Sequence, residues 1–504
     1  MAVTDYAALL IAFLYTATTN LMAAAKENDR LVEGSPHTTK TLVGALRLST
    51  FVGASLGVIL FAFARPLLRA LIGNDSISPE VFAASMRYVR IRAIGMPAAA
   101  VIGSAQAGCL GMQDIKTPLY VLGAAAAVNF MGDMLFVPHS HAWIGGAAGA
   151  AWATTFSQYA ALAFFVKWLI SKPKGVEGGP KVMNVSNAIL ELTGKPTSVG
   201  AARRRRFRDT LKSLRFPKMK KNISHDAAAA AVSGFREEGS RKAVSKPKEE
   251  SFSAKGFLHG KFRADDLVKV PSKETVAEFK PYVLPVTSTQ VGRVSGYVAM
   301  SHVVSSSLGT ASMAAQQVLV SLFYCLCPVA DSLSLTAQSF VPSIHAKGVS
   351  HERAKALRRT LSNFLKAGGV FGLVMSSAVC SIPLLSGFFT TDQAVISLVN
   401  MVAPLLVGWF AVHGIVCAAE GVLLGRKDLS FLGKMYSAYF AIVPFFMLRV
   451  KRAALAGRDG INLTSIWKVF LAYQISRFSI WGVRSFILQR RTDREASQIA
   501  LDRP

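Results

Sequence analysis

The sequence predicts an all-α, polytopic membrane protein of about eleven spanning helices arranged in two halves. Three observations carry this expectation. Of the 504 residues 51% are hydrophobic and only 17% are charged, whereas a soluble domain carries about 25% charge. That leaves too little polar surface to cover a soluble fold of this length, so lipid must solvate most of the chain. Eleven apolar runs approach or exceed the roughly 20 residues that a helix needs to cross a bilayer. The formal net charge of +28 lies mainly between those runs. A chain both apolar and basic is neither an ordinary soluble enzyme nor a disordered nucleic-acid tail.

The runs fall at 5–25, 41–63, 88–111, 117–137 and 144–170, and then at 282–305, 311–344, 361–388, 393–424, 429–448 and 465–488. The third holds Gly95, Pro97, Gly103, Gly108 and Gly111; such residues weaken a soluble helix but let membrane helices approach closely. Residues 171–281 interrupt the series with Pro, Gly, Ser and charge, and read as a basic, largely disordered connection. The expected organisation is therefore a first lobe over 1–170, the connection over 171–281, a second lobe over 282–488 and a basic tail over 489–504. The connection holds 25 Lys/Arg against 12 Asp/Glu. If it is cytoplasmic or stromal, the short segments on its side carry 15 Lys/Arg and those opposite carry 6, four of them in 449–464. This agrees with the positive-inside rule and puts the C-terminus inside and the N-terminus outside. Cys109, Cys325, Cys327, Cys380 and Cys417 all lie in apolar stretches without a C-x-x-C spacing, so neither a disulfide framework nor a zinc site is expected.

A weak internal repeat links the halves. Offset by 314 residues, Ala105/Ala419, Leu110/Leu424, Gly111/Gly425 and Asp114/Asp428 coincide, and Gln106 faces Glu420. Both segments end an apolar span on the same membrane side, as parallel repeats of transporters do. Two spans precede 361–388 in the second half but only one precedes 41–63 in the first. The expectation is that the sequence begins one helix late, with the counterpart of 282–305 and any targeting segment before Met1.

On these residues the chain resembles the MATE (multidrug and toxic compound extrusion) family, in the plastid-type, DinF-like branch of plants and algae. The similarity rests on Tyr15–Leu21 in the first span, Gly108-x-x-Gly111-x-x-Asp114-x-x-Thr117-Pro118 after the third, and Ser307–Thr310 with Met313–Val318. It continues in Thr336–Phe340 and in Glu420-Gly421-x-Leu423-Leu424-Gly425-Arg426-Lys427-Asp428-Leu429. It covers about 1–170 and 282–488. It implies a two-lobe bundle of 6+6 helices forming a V, here with about eleven spans because the first family helix is missing. It also implies alternating access, and export of organic cations or small metabolites driven by inward H⁺ or Na⁺. One plant member of the branch exports a phenolic acid from chloroplasts, which points to the chloroplast envelope or another organellar membrane. Proton-coupled relatives use an Asp and an Asn one turn apart, a Thr on the next helix and an Asp on the first. Asp133, Asn129 and Thr154 match the first three, and the fourth lies in the part that is absent.

Several residues can be weighed on their own chemistry. Asp133 shares a helical face with Asn129, and a carboxyl within a span is rare and usually functional; the plainer reading is an interfacial Asp, since Pro138 and His139 follow. Asp331 and Glu420 are further acidic candidates for a cation or substrate role in the second lobe, with Gln106 as the repeat counterpart of Glu420. Glu420 can instead close an ion pair with Arg426 or Lys427. Arg293 can pair with Asp331, attract an anionic substrate, or snorkel to an edge. His302 and His413 read as helix-packing histidines. Arg203, Arg204, Arg205 and Arg206 form the densest basic cluster, a candidate for anionic lipid beside the simpler reading of a solvated retention signal. Phe164, Phe165, Trp168, Trp467 and Trp481 read as interface anchors.

The function expected is a secondary antiporter of small organic compounds, with no cofactor beyond a coupling H⁺ or Na⁺, no nucleic-acid partner, membrane lipid around it and a monomeric state. Alternatives are a lipid-linked saccharide flippase of the same superfamily and an inactive or non-transporting membrane protein. An intramembrane enzyme is disfavoured: the only Asp-Asp is Asp265-Asp266, and no H-E-x-x-H or P-loop occurs.

Overall fold

The computed structural model describes residues 9–31, 36–72, 79–172, 254–385 and 390–501, and these are helical throughout their length apart from turns. The first half runs α1 (Ala12–Leu31), α2 (His37–Ala62), α3 (Ala64–Ile72), α4 (Pro79–Ile94), α5 (Met96–Gly111), α6 (Lys116–Phe136) and α7 (Gly146–Ile170). The second runs α8 (Lys273–Ser307), α9 (Gly309–His345), α10 (His351–Cys380), α11 (Gln393–Gly425), α12 (Leu429–Leu455) and α13 (Leu463–Leu501). Among the described residues six helices are long and apolar enough to cross a membrane by themselves, and the pair α4 and α5 qualifies as a seventh, bent span. The other long helices, α1, α7, α8 and α13, pack lengthwise on these, which accommodates five spans in the first half and six in the second.

The run 88–111 is therefore not one straight helix. α4 and α5 meet at 50°, because Pro97 opens α5 and cannot donate to the preceding turn. A Cβ on Gly95 at the bend would lie 2.4 Å from Gln158 Oε1. Lipid offers no hydrophobic force to drive helices together, so they meet through small residues. The clearest case joins α10 to α11: a Cβ on Gly368 would lie 2.6 Å from the Gly414 carbonyl oxygen, and one on Gly414 only 2.2 Å from that of Gly368.

The weak repeat is written plainly in the backbone. After α5, Met112, Gln113 and Asp114 donate their N–H groups to the carbonyls of Gly108, Leu110 and Cys109. After α11, Arg426, Lys427 and Asp428 donate to Val422, Leu424 and Leu423, the same pattern 314 residues on. Gln113 and Lys427 are the only non-glycine residues with positive φ among those described, at 67° and 62°. A left-handed residue closes each helix, and the following Asp fixes the turn. Asp114 Oδ1 accepts from the backbones of Lys116 and Thr117 at 3.0 and 3.1 Å, while Asp428 takes both ends of a fork from Arg484 at 2.7 and 3.0 Å.

Of the connection 171–281, residues 173–253 lie outside the described residues, and the remainder is ordered. Over 254–281, Ala254, Leu258 and Phe262 are buried against the first half. The Ala254 N–H donates to Asp114 Oδ2 at 2.7 Å, and the backbones of Gly256 and Leu258 bond the carbonyls of Trp168 and Leu169 that end α7. Asp266 then anchors the segment, accepting from Lys269 at 2.6 Å and from Arg47 of α2 at 3.1 Å. α8 begins at Lys273, nine residues before the apolar run, with Ser272 as its cap. Sequence composition hid this clasp because its apolar residues are single, spaced four apart between charges.

Two outcomes follow. Gly414→Val forces a branched side chain against the α10 backbone and should lower stability by about 1–3 kcal/mol, read as a fall in the thermal midpoint of the purified protein. The carboxyl of Asp266 is held down at about 2 by Lys269, the Arg263 N–H and Arg47. Its folded pKa lies below the usual 3.9 or so, so its contribution is full above that value and disappears as pH falls from about 4 to about 2. Limited proteolysis within 254–270 should therefore increase over that interval, and Asp266→Asn should show the increase already at neutral pH.

Candidate functional site

A cavity of about 460 Å³ lies where the halves meet. α1 contributes Tyr15, Thr16 and Thr19, α5 contributes Gln106 among small residues, α6 gives Leu122 and Ala125, and α7 gives Ser157 and Gln158; Leu335 and Gln338 of α9 complete it from the second half. Its lining contains no Asp, Glu, Lys, Arg or His. The polar groups are amides and hydroxyls. Gln338 holds Ser334 through Nε2, but its Oε1 is buried without a partner, and such an orphan acceptor commonly awaits water or a ligand. Gln158 Oε1 accepts from Arg92 at 3.3 Å, so the nearest guanidinium stands one hydrogen bond behind the wall. Toward the Leu31 end of α1 the halves are tied together: Asn20 Nδ2 donates to the Leu424 carbonyl at 3.0 Å, and Glu27 faces Lys347 at 3.7 Å.

Of the expected coupling residues, Asn129 and Thr154 are brought together, Nδ2 donating to Oγ1 at 3.3 Å. They are not in the cavity wall but continue its faces, Asn129 one turn beyond Ala125 on α6 and Thr154 one turn before Gln158 on α7. Asp133 lies a further turn along, half-buried and one turn from the end of α6, and its carboxyl makes no hydrogen bond or ion pair among the described residues. Gln106 does line the cavity. Arg203–Arg206 lie outside the described residues.

The second-half candidates form a network other than the one expected. Glu420 does not pair with Arg426 or Lys427, and Arg293 does not pair with Asp331. Glu420 is buried and meets Arg293 at 2.6 Å through Oε1 and Arg477 at 2.6 Å through Oε2. Tyr436 and Trp481 also donate to Oε2, at 2.7 and 3.3 Å. Arg426 instead bonds Gln489 at 2.7 Å. Glu420 points inward because it shares a helical face with His413 and Cys417, which the helix buries against α9 and α13. From Arg477 the network runs through Gln474 to His413 Nδ1, at 2.9 and 3.1 Å. His413 Nε2 faces Cys417 Sγ at 3.5 Å, and Cys417 faces Asp331 Oδ1 at 3.4 Å.

Sequence reasoning missed Arg477, Gln474 and Tyr436, although a base in the middle of the run 465–488 was a visible signal. His302 is exposed beside Lys451 rather than packed between helices. Phe165, Trp467 and Trp481 are fully buried rather than interfacial; the indoles of Trp467 and Trp481 are spent on Gln316 and Glu420.

The same residues carry a family relationship. The MatE family model matches residues 3–135. Protein DETOXIFICATION 47, chloroplastic, of Arabidopsis thaliana is 24% identical over 488 residues, covering 95% of this chain and 68% of the relative. Over these residues the chain is similar to the MATE family. Protein DETOXIFICATION 45, chloroplastic, of the same plant is 32% identical over 145 residues, 28% of this chain and 25% of that one. It spans about two thirds of the length of DETOXIFICATION 47. Among solved structures, an outward-facing multidrug resistance MATE transporter of the MOP superfamily aligns with a TM-score of 0.66 at 12% identity, covering 97% of this chain and 86% of that one. A MATE crystallised with MaL6 gives 0.67 at 11%, covering 98% and 87%. The chain is thus a multi-pass membrane protein with the fold of these solved structures.

Removing one partner from a buried ion pair strands the others in low dielectric and costs about 3–5 kcal/mol. Glu420→Gln leaves Arg293 and Arg477 facing one another and should lower the thermal midpoint sharply, whereas Glu420→Asp, which keeps the charge, should lower it less.

Proposed function

We propose that this MATE protein is a proton-coupled antiporter that carries small organic compounds through the cavity between its halves, in a chloroplast envelope or a similar organellar membrane. The observation that carries the reading is the cavity itself, walled by α1, α5, α6 and α7 on one side and α9 on the other. A site shared by two halves can be exposed alternately when one half rocks against the other. Its amides and hydroxyls suit a ligand with hydrogen-bonding groups and apolar surface, and the lining supplies neither the carboxylate that an organic cation favours nor the cluster of bases that a lipid-linked saccharide favours. This argues for a small-molecule exporter over a flippase.

Coupling is assigned to the column that extends the cavity wall, Asn129 with Thr154 and then Asp133. Protonating Asp133 removes a charge that is costly at membrane depth and lets α6 settle more deeply against α7; releasing the proton reverses this. Because Gln106 lies in the wall and Asp133 one column beyond it, the two should separate experimentally. In proteoliposomes with an imposed pH gradient, Asp133→Asn should reduce gradient-driven uptake of a transported aromatic probe by at least about tenfold while equilibrium binding persists. Gln106→Ala should raise the apparent KM with coupling intact. Unaltered gradient dependence in Asp133→Asn contradicts the assignment.

A further inference from the structure

We propose that Asp331, His413 and Cys417 form a binding site for a divalent ion of the zinc class, joining α9 to α11 beside the cavity. The inference stands apart from the transport reading. Their donor atoms all lie within 4.8 Å of one another. A tetrahedral zinc ion takes sulfur at about 2.3 Å and nitrogen or oxygen at about 2.0–2.1 Å, so the ligand-to-ligand edges are about 3.5 Å. Cys417 Sγ is 3.4 Å from Asp331 Oδ1 and 3.5 Å from His413 Nε2, which already gives two edges of that figure. The third, between Asp331 and His413, lies within 4.8 Å and would have to close toward that figure as the ligands gather on an ion.

The choice of metal follows from the donors. A thiol and an imidazole suit borderline-soft ions and are poor ligands for Na⁺, Mg²⁺ or Ca²⁺, which take oxygen. Three protein ligands leave a fourth position for water or another group. His413 is held from two sides: Gln474 Nε2 lies 3.1 Å from Nδ1 and the Trp409 ring, tilted by 35°, has its centroid 4.1 Å away, while Cys417 Sγ lies 3.5 Å from Nε2 and 3.7 Å from Nδ1. Metal binding at Nε2 puts the ring proton on Nδ1; the Gln474 amide, whose Oε1 stays on Arg477, then swings its Nε2 away from that proton. The Cys417 thiol gives up its proton to solvent as the metal–sulfur bond forms. Glu420 neutralises one of the two neighbouring guanidiniums, and Asp331 with the Cys417 thiolate balances most of the added charge. Access runs along one face of α9, on which Asp331, Leu335 and Gln338 fall at helical spacing and the last two line the cavity. Cysteine spacing alone gives no sign of the site because its ligands come from two helices.

The test uses the full chain in detergent with Co²⁺ as the probe. Titration should produce a thiolate-to-cobalt charge-transfer absorption saturating at one ion per chain, and Zn²⁺ should displace it. Cys417→Ser should abolish the band in protein that still elutes as a folded species. Asp331→Asn, at a half-buried position, should weaken Co²⁺ binding by at least about tenfold, since even outer-shell changes cost 10–100-fold. It keeps the proposal testable if the cysteine variant fails to fold. No band in the wild type, a band that survives Cys417→Ser, or unchanged affinity in Asp331→Asn overturns the proposal.

Discussion

Lipid cannot hydrogen-bond, and every polar group that the chain carries into the membrane must therefore be satisfied by the chain itself. In the second half the largest instance of this constraint is the Glu420 carboxylate between Arg293 and Arg477. These three charges come from α11, α8 and α13, so the ion pairs fix three helices at once, and Tyr436 brings in α12 as a fourth. Such a group is worth little as net stability against an apolar replacement. It acts as a specifier: only one rotation of each helix satisfies all partners. The aromatic packing of Phe323, Trp409, Phe470 and Tyr473 then fills the space around that arrangement.

The first half is built differently. Its cavity-facing helices meet through small residues and single hydroxyl bonds such as Ser49 with Ser104 at 2.5 Å, with no buried ion pair comparable to Glu420 among the described residues. α6 is the extreme case, burying only Thr117, Pro118, Val121 and Gly132. A half held by many weak contacts beside a half locked by charge is a reasonable basis for relative movement, and the proposed coupling column lies on the loosely held helix. At the ends of α5 and α11 both halves use the same left-handed turn closed by an Asp. The first spends its Asp on the returning connection and the second on Arg484, so the same turn serves two different attachments.

The fold was largely legible because membrane solvation imposes a coarse, local rule: apolar length gives the spans and basic loops give their direction. What escaped was non-local. The bend at Gly95–Pro97 follows from a proline that could equally begin a helix or kink one. The clasp at 254–270 depends on single apolar residues whose partners are more than eighty residues away. The site was legible in part. Gln106 was selected through the repeat and does line the cavity, and Asn129 and Thr154, selected by the family resemblance, lie 3.3 Å apart. The partners of Glu420 and Arg293 were not, because sequence favours neighbours such as Arg426 while the helix turned Glu420 toward α8 and α13. His413 and Cys417 looked like packing residues and are connected to Asp331 only by the way α9 crosses α11.

The central claim is that the cavity between the halves is presented to the two membrane faces in turn. A cysteine placed at Gln106 in a background lacking the native cysteines, labelled in sealed vesicles by an impermeant thiol reagent from one side at a time, tests it most directly. Reversing the imposed pH gradient should reverse the side from which labelling is fast. Labelling from the same side under both gradients, at unchanged rate, contradicts the account.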